Sequence, residues 1–193
     1  MGFASPGTFH EREEGVFDFE GDCDIGHFLD LCGDLGFYAF PRVGRFICDE
    51  WDAGGYPAWL VGKPAVELRA WHEPTLRYVR RWFEKLIPQI AKRQVTRGGP
   101  VVLVQQENEY YYVDRPGVRE YQDFLIRTMR DLGIEVPITD CNGFNPQIRR
   151  PSSLQTVNGG GAGNVAQLRK SQPGKPVFVS ELYTAIPTVG VGL

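Results

Sequence analysis

Short apolar runs at residues 37–43, 101–104, 136–139, 154–157 and 177–179 alternate with stretches whose apolar side chains recur at helical spacing. A strand that is apolar on both faces has to be covered on both, and two parallel neighbours need a crossover long enough to hold a helix. The alternation therefore predicts an α/β fold, a parallel sheet wrapped by helices. One helix is expected within residues 22–36, where Ile25, Phe28, Leu29, Leu31, Cys32 and Leu35 lie between a capping Asp22 or Asp24 and a terminating Gly36. A second is expected over 74–94, opened by Pro74 and carrying Leu76, Val79, Phe83, Leu86, Ile87 and Ile90 on one face. Residues 117–133 and 165–170 supply two more. Periodicity alone leaves a doubly wound sheet and a (β/α)8 barrel both open.

Composition narrows the function. The 193 residues are 42% hydrophobic and 23% charged, enough for a real core. A net charge of −3 with scattered basic residues gives no electrostatic footprint for nucleic acid. No apolar stretch approaches a membrane span, and the first residues lack the charged start and apolar centre of a signal peptide. Cys23, Cys32, Cys48 and Cys141 form no CxxC pair, and His10, His27 and His72 are dispersed, so no metal is expected.

The polar residues gather where the apolar runs stop. FPRV leads into GRFICDEW, VVLV into QQENEY, VPIT into DCNGF, and VFV into SELY. In a (β/α)8 barrel the C-terminal strand ends open onto one face, where chemistry is assembled. That topology would bring Glu50, Glu109 and Glu181 together from distant parts of the chain. Taken singly, a glutamate after a strand is more often an exposed loop residue; the convergence is what carries the functional reading. Glu107 should point away from Glu109 in extended chain. Trp51 and Tyr110 adjoin these carboxylates and are candidates to stack on sugar rings, whereas Trp82 reads as core.

At these positions the chain resembles a known family. GGPVVLVQQENEY is similar to the GGP-apolar-Q-x-ENEY signature of glycoside hydrolase family 35, and ICDEWDAGGYPAWL resembles its YICAEW-x-x-GG-x-PAWL segment. HEREEGVFDFEG resembles HEP-x-x-G-x-YDFEG, and VFVSELYTA resembles SEFYTGW, all in the family's order. The resemblance implies an eight-stranded β/α barrel and a retaining β-galactosidase that needs no metal or organic cofactor. It implies Glu109 as acid/base, Asn108 as a contact near the sugar 2-hydroxyl, and Glu181 as nucleophile. Glu50 would hold sugar hydroxyls, with the backbone of Asp49 nearby. A retaining pair would stand about 5 to 5.5 Å apart.

Several positions depart from the family pattern. Tyr111 and Tyr112 follow ENEY where glycine is usual, and GRFICDEW places Arg45 and Asp49 near the expected sugar pocket. The chain has no obvious room for a complete barrel, so residues 1–193 read as one truncated or shortened catalytic domain holding about strands two to seven, whose missing strands or further domains would belong to a longer parent. The substrate expected is a terminal β-galactoside. The alternatives are an exo-β-glycosidase for another sugar such as glucosamine, or a noncatalytic carbohydrate-binding derivative. Cys48 and Cys141, both just past strand ends, are candidates for a disulfide in an oxidising compartment.

Overall fold

The computed structural model describes residues 2–4, 6–48, 51–144 and 148–182. In chain order the elements are β1 (Gly2–Ala4), α1 (Gly7–His10), α2 (Ile25–Asp34), β2 (Phe40–Arg42), α3 (Ala58–Val61), α4 (Glu73–Ala91), β3 (Val104–Asn108), α5 (Val118–Asp131), β4 (Ile138–Cys141), β5 (Leu154–Gln155), β6 (Val157–Asn158), α6 (Ala162–Ser171) and β7 (Val179–Glu181). Strands β1 to β5 pair in sequential order, all parallel, and β6 pairs in parallel with β7.

Thr156 joins the two sheets. It sits between β5 and β6, and both its amide and its hydroxyl donate to the Asp140 carbonyl, at 2.7 and 3.0 Å. Residues 154–158 therefore act as one bent strand that pairs first with β4 and then with β7. The sheet curls far enough for Arg42 of β2 to ion-pair with Glu181 of β7, and for Phe40 to meet Phe178 edge-on at 5.2 Å. This is a (β/α)8 barrel in type, left unclosed, with β1 and β7 facing each other across the gap.

The helices form where the periodicity places them. Asp24 caps α2 by accepting from the His27 amide at 2.8 Å, which settles the choice between Asp22 and Asp24. Pro74 lies in the first turn of α4, where it forfeits no helical hydrogen bond, and α4 continues through Pro88 to Ala91. Helix α4 buries Val79, Trp82, Phe83, Leu86, Ile87 and Ile90, and α5 buries Tyr121, Phe124, Leu125 and Met129, in one core with Val43, Val104 and Ile138. Trp82 is fully buried, as expected, and its indole donates to the Val43 carbonyl at 2.9 Å.

Several strands differ from the expectation: β4 and β7 begin two residues later than their apolar runs, and the run at 154–157 is divided between β5 and β6. Apolar content places a strand at residues 101–104, yet β3 runs Val104–Asn108 and is polar after its first residue, while Val101 makes isolated bridges to Ala39 and Gln94. A parallel ladder needs backbone groups, and it tolerates polar side chains when these satisfy one another. Here the Gln106 amide donates to Gln122 at 2.7 Å, and the Gln105 amide donates to Asn108 at 3.0 Å. Strand β1 is too short to carry a periodic signal.

Gly44 explains how β2 and β3 converge beneath the site. A methyl group there would lie 2.3 Å from the Gln106 carbonyl oxygen, so the close approach requires glycine.

Candidate active site

Glu109 follows the last residue of β3 and holds a left-handed backbone, φ 51° and ψ 47°. Few side chains adopt this conformation without a structural reason, and such positions cluster at functional sites. The register of β3 against β4 shifts between Gln105 and Asn108, and the Glu109 amide then donates to the Cys141 carbonyl at 3.0 Å. This bulged end turns the Glu109 carboxyl aside to Asn158, whose amide donates to Oε1 at 2.8 Å. A cleft of about 580 Å3 opens beside Glu109, lined by Tyr111, Cys141, Phe144, Asn158 and Asn164.

Glu181 ends β7. Its Oε1 accepts from Nη2 of Arg42, whose other amino group donates to the Ile47 carbonyl at 2.6 Å. Arg42, Gln105, Ser180 and Glu181 line a cavity of about 170 Å3 inside the curl of the sheet, closed on one side by Phe3 and Phe40. Cys141 is buried at the end of β4; burial pushes its thiol up to about 12, and both Glu109 and Glu181 add to the rise. Asn158, bonded to the Glu109 carboxyl and paired in register with Glu181, links the ends of β3 and β7, with each glutamate lining a cavity of its own.

Glu107 has different surroundings, in keeping with the alternation along the strand. It is fully buried, gripped by Nε and Nη2 of Arg69 at 2.9 Å each and by the Asn108 amide at 2.7 Å. Burial pushes the Glu107 carboxyl up from the ordinary value, and Arg69 acts most strongly against that rise. Arg69 also donates to the Asn108 carbonyl at 2.8 Å, so the buried pair anchors the backbone that presents Glu109.

Other expected residues fall differently. Asn108 is buried at the end of β3, with Oδ1 accepting from Gln105. Tyr110 is corrected: its ring is fully buried, stacked on Tyr121 at 5.3 Å, and its hydroxyl donates to the Arg69 carbonyl at 2.9 Å, leaving no face for a sugar. The chain turns inward after the left-handed Glu109 and carries the next side chain into the core. Trp51 is half-exposed but borders a separate cleft with Phe9, Arg12, Asp24 and Phe28, its ring 4.9 Å from that of Phe9. Arg45 is also corrected: it lies fully buried over Trp82, 2.5 Å from Glu11, which is shared with Arg81. A buried guanidinium needs an anion, and Glu11 draws Arg45 away from any sugar pocket. Cys48 and Cys141 are not joined in a disulfide. Asp49 and Glu50 lie outside the described residues.

The model of Glycosyl hydrolases family 35 matches residues 6–188. The chain belongs to this family. Among curated relatives, "Beta-galactosidase" of Mus musculus is 36% identical over 190 residues, covering 93% of this chain and 29% of the relative. "Beta-galactosidase" of Homo sapiens is 35% identical over 190 residues, covering 93% and 28%. "Beta-galactosidase-1-like protein 3" of Homo sapiens is 31% identical over 185 residues, covering 92% and 28%. The chain thus spans somewhat under a third of the length of these relatives. A solved structure, "Exo-beta-1,4-mannosidase Op5Man5 from Opitutaceae bacterium strain TAV5", superposes with a TM-score of 0.56 at 15% identity, covering 83% of this chain and 28% of that one, a likeness of fold.

Two residues that contact Glu109 or Glu181 escaped the sequence reading. Arg42 had a visible signal, a lone charge inside the otherwise apolar FYAFPRV; a buried strand arginine has to find an anion. Asn158 had little: a polar residue before GGG is indistinguishable from a turn residue until β6 is seen pairing with β7.

Proposed function

We propose that this chain carries the catalytic centre of a retaining glycoside hydrolase that removes terminal β-D-galactose. The observation that carries the reading is the link through Asn158 between Glu109 at the end of β3 and Glu181 at the end of β7, within a family whose similar relatives are named beta-galactosidases. In the first step the Glu181 carboxylate forms a bond to the anomeric carbon as the glycosidic C–O bond breaks, and Glu109 gives its proton to the departing oxygen. In the second step water attacks that carbon, passes a proton to Glu109, and releases Glu181. Arg42 suits the nucleophile's role, because a guanidinium on Oε1 orients the carboxylate. Asn108, beside the acid in sequence, is the proposed contact to the 2-hydroxyl, and strengthening of that bond as charge develops on the ring would favour the transition state. Asp49 and Glu50 are the proposed holders of the remaining sugar hydroxyls.

The test is turnover of 4-nitrophenyl β-D-galactoside by the purified chain, with the anomer released first read by proton NMR. β-Galactose is expected. Glu181→Gln should abolish turnover, because no glycosyl-enzyme can form. Glu109→Ala should accumulate that intermediate on an activated substrate, and azide should release it as the β-galactosyl azide. First release of α-galactose would refute retention, and galactose binding without any turnover would establish a carbohydrate-binding derivative instead.

A further inference from the structure

We propose that Asn158 is the positioning residue of the acid/base carboxyl and that it assigns the transferable proton to Oε2 of Glu109; the inference rests on the acid/base reading of Glu109. Asn158 ends β6. Its Nδ2 donates to Glu109 Oε1 at 2.8 Å, and its Oδ1 accepts from the Ser180 hydroxyl at 2.8 Å. Ser180 Oγ in turn lies 2.8 Å from Thr156 Oγ1. Because an ionised carboxylate only accepts, the amide N–H faces Glu109 and the amide oxygen is left to accept from the Ser180 hydroxyl.

The bonds then run in one direction, Ser180 to Asn158 to Glu109, each polarising the next toward the carboxylate. A proton on Oε1 would confront the amide N–H, so Oε1 accepts in both protonation states and Oε2 carries the proton. A single oxygen therefore gives the proton to the leaving group and takes it back from water. The backbone ties this arrangement to the nucleophile's strand: Asn158 pairs in register with Glu181, and the Gly159 amide donates to the Glu181 carbonyl at 2.9 Å. The other titratable groups around Glu109 are held apart from this role. Cys141 on β4 is neutral at working pH, Glu181 on β7 is paired with Arg42 of β2, and Glu107 on β3 is paired with Arg69.

The experiment uses the chain with Asn158→Ala and the near-isosteric Asn158→Asp, labelled with 13C at the glutamate carboxyls and assigned through Glu109→Gln. Loss of one hydrogen bond to a charged group should move the Glu109 titration upward by about one pH unit in Asn158→Ala. A second carboxyl beside it should move it further in Asn158→Asp. The alkaline limb of kcat/KM should follow both shifts. Asn158→Ala should lose about tenfold in kcat on methyl β-galactoside, which needs acid assistance, and little on the 4-nitrophenyl substrate, with KM nearly unchanged. A Glu109 titration unmoved in both folded variants overturns the proposal, as does equal loss on the two substrates. An inactive wild-type chain whose Glu109 titration still moves as described would refute the hydrolase reading while supporting the contact.

Discussion

Replacing Arg69 by Met should expose how the fold pays for Glu107. Arg69 supplies two hydrogen bonds of 2.9 Å to the Glu107 carboxylate and one of 2.8 Å to the Asn108 carbonyl, and its guanidinium lies 3.6 Å from the centre of the Phe46 ring. Its removal leaves a fully buried carboxylate that keeps the Asn108 amide as a donor. Breaking a buried pair on one side costs about 3–5 kcal/mol. The charge contribution has a ceiling, because the carboxyl can escape by taking up a proton. With an unfolded value of about 4.3, protonation at pH 7 costs about 1.36 × 2.7, or roughly 3.7 kcal/mol.

The sign of the pH dependence follows from the direction of the shift. Burial raises the folded carboxyl above its unfolded value, and more so without Arg69, so the folded state binds a proton that the unfolded state has lost. Stability is then fully present below the unfolded value and falls as pH rises toward the folded one, by about 1.4 kcal/mol per unit. Urea unfolding followed by circular dichroism should give Arg69→Met a deficit of about 3–4 kcal/mol at pH 7, shrinking to about 1 kcal/mol near pH 5. The double variant Arg69→Met, Glu107→Gln should lose most of that pH dependence. An equal deficit at the two pH values, or one below about 1 kcal/mol at pH 7, would refute the buried-charge argument.

Gly44→Ala should destabilise the chain by about 1–3 kcal/mol in the same assay, since the added methyl meets the Gln106 carbonyl and β2 and β3 have to separate. Tyr110→Phe should cost about 1 kcal/mol for its lost bond to the Arg69 carbonyl; a large loss of galactose affinity at unchanged stability would reinstate Tyr110 as a sugar contact. Cys141, whose thiol is pushed up to about 12, should resist iodoacetamide at pH 8 in the folded chain and react on unfolding, as read by peptide mass mapping.

The linear order of residues was enough to determine the alternation of strands and helices, because the apolar spacing of α2, α4 and α5 reflects the faces they bury. It also determined the family, through motifs around Glu11, Glu109 and Glu181 whose spelling survives without knowledge of contacts. It could not decide which neighbours each polar residue would find. Arg45 and Arg42 lie three positions apart, yet one is drawn into a buried pair with Glu11 and the other reaches across the sheet to Glu181. Tyr110 follows Glu109 directly, but the left-handed turn at Glu109 sends the ring into the core and leaves the carboxyl at the cleft. Asn158 acquires its partner through the pairing of β6 with β7 and the curl that brings both to the end of β3. Periodicity is local, being set by the chain's own helical or extended repeat, whereas a charge partner is fixed by sheet curvature and register, which are properties of the whole folded chain.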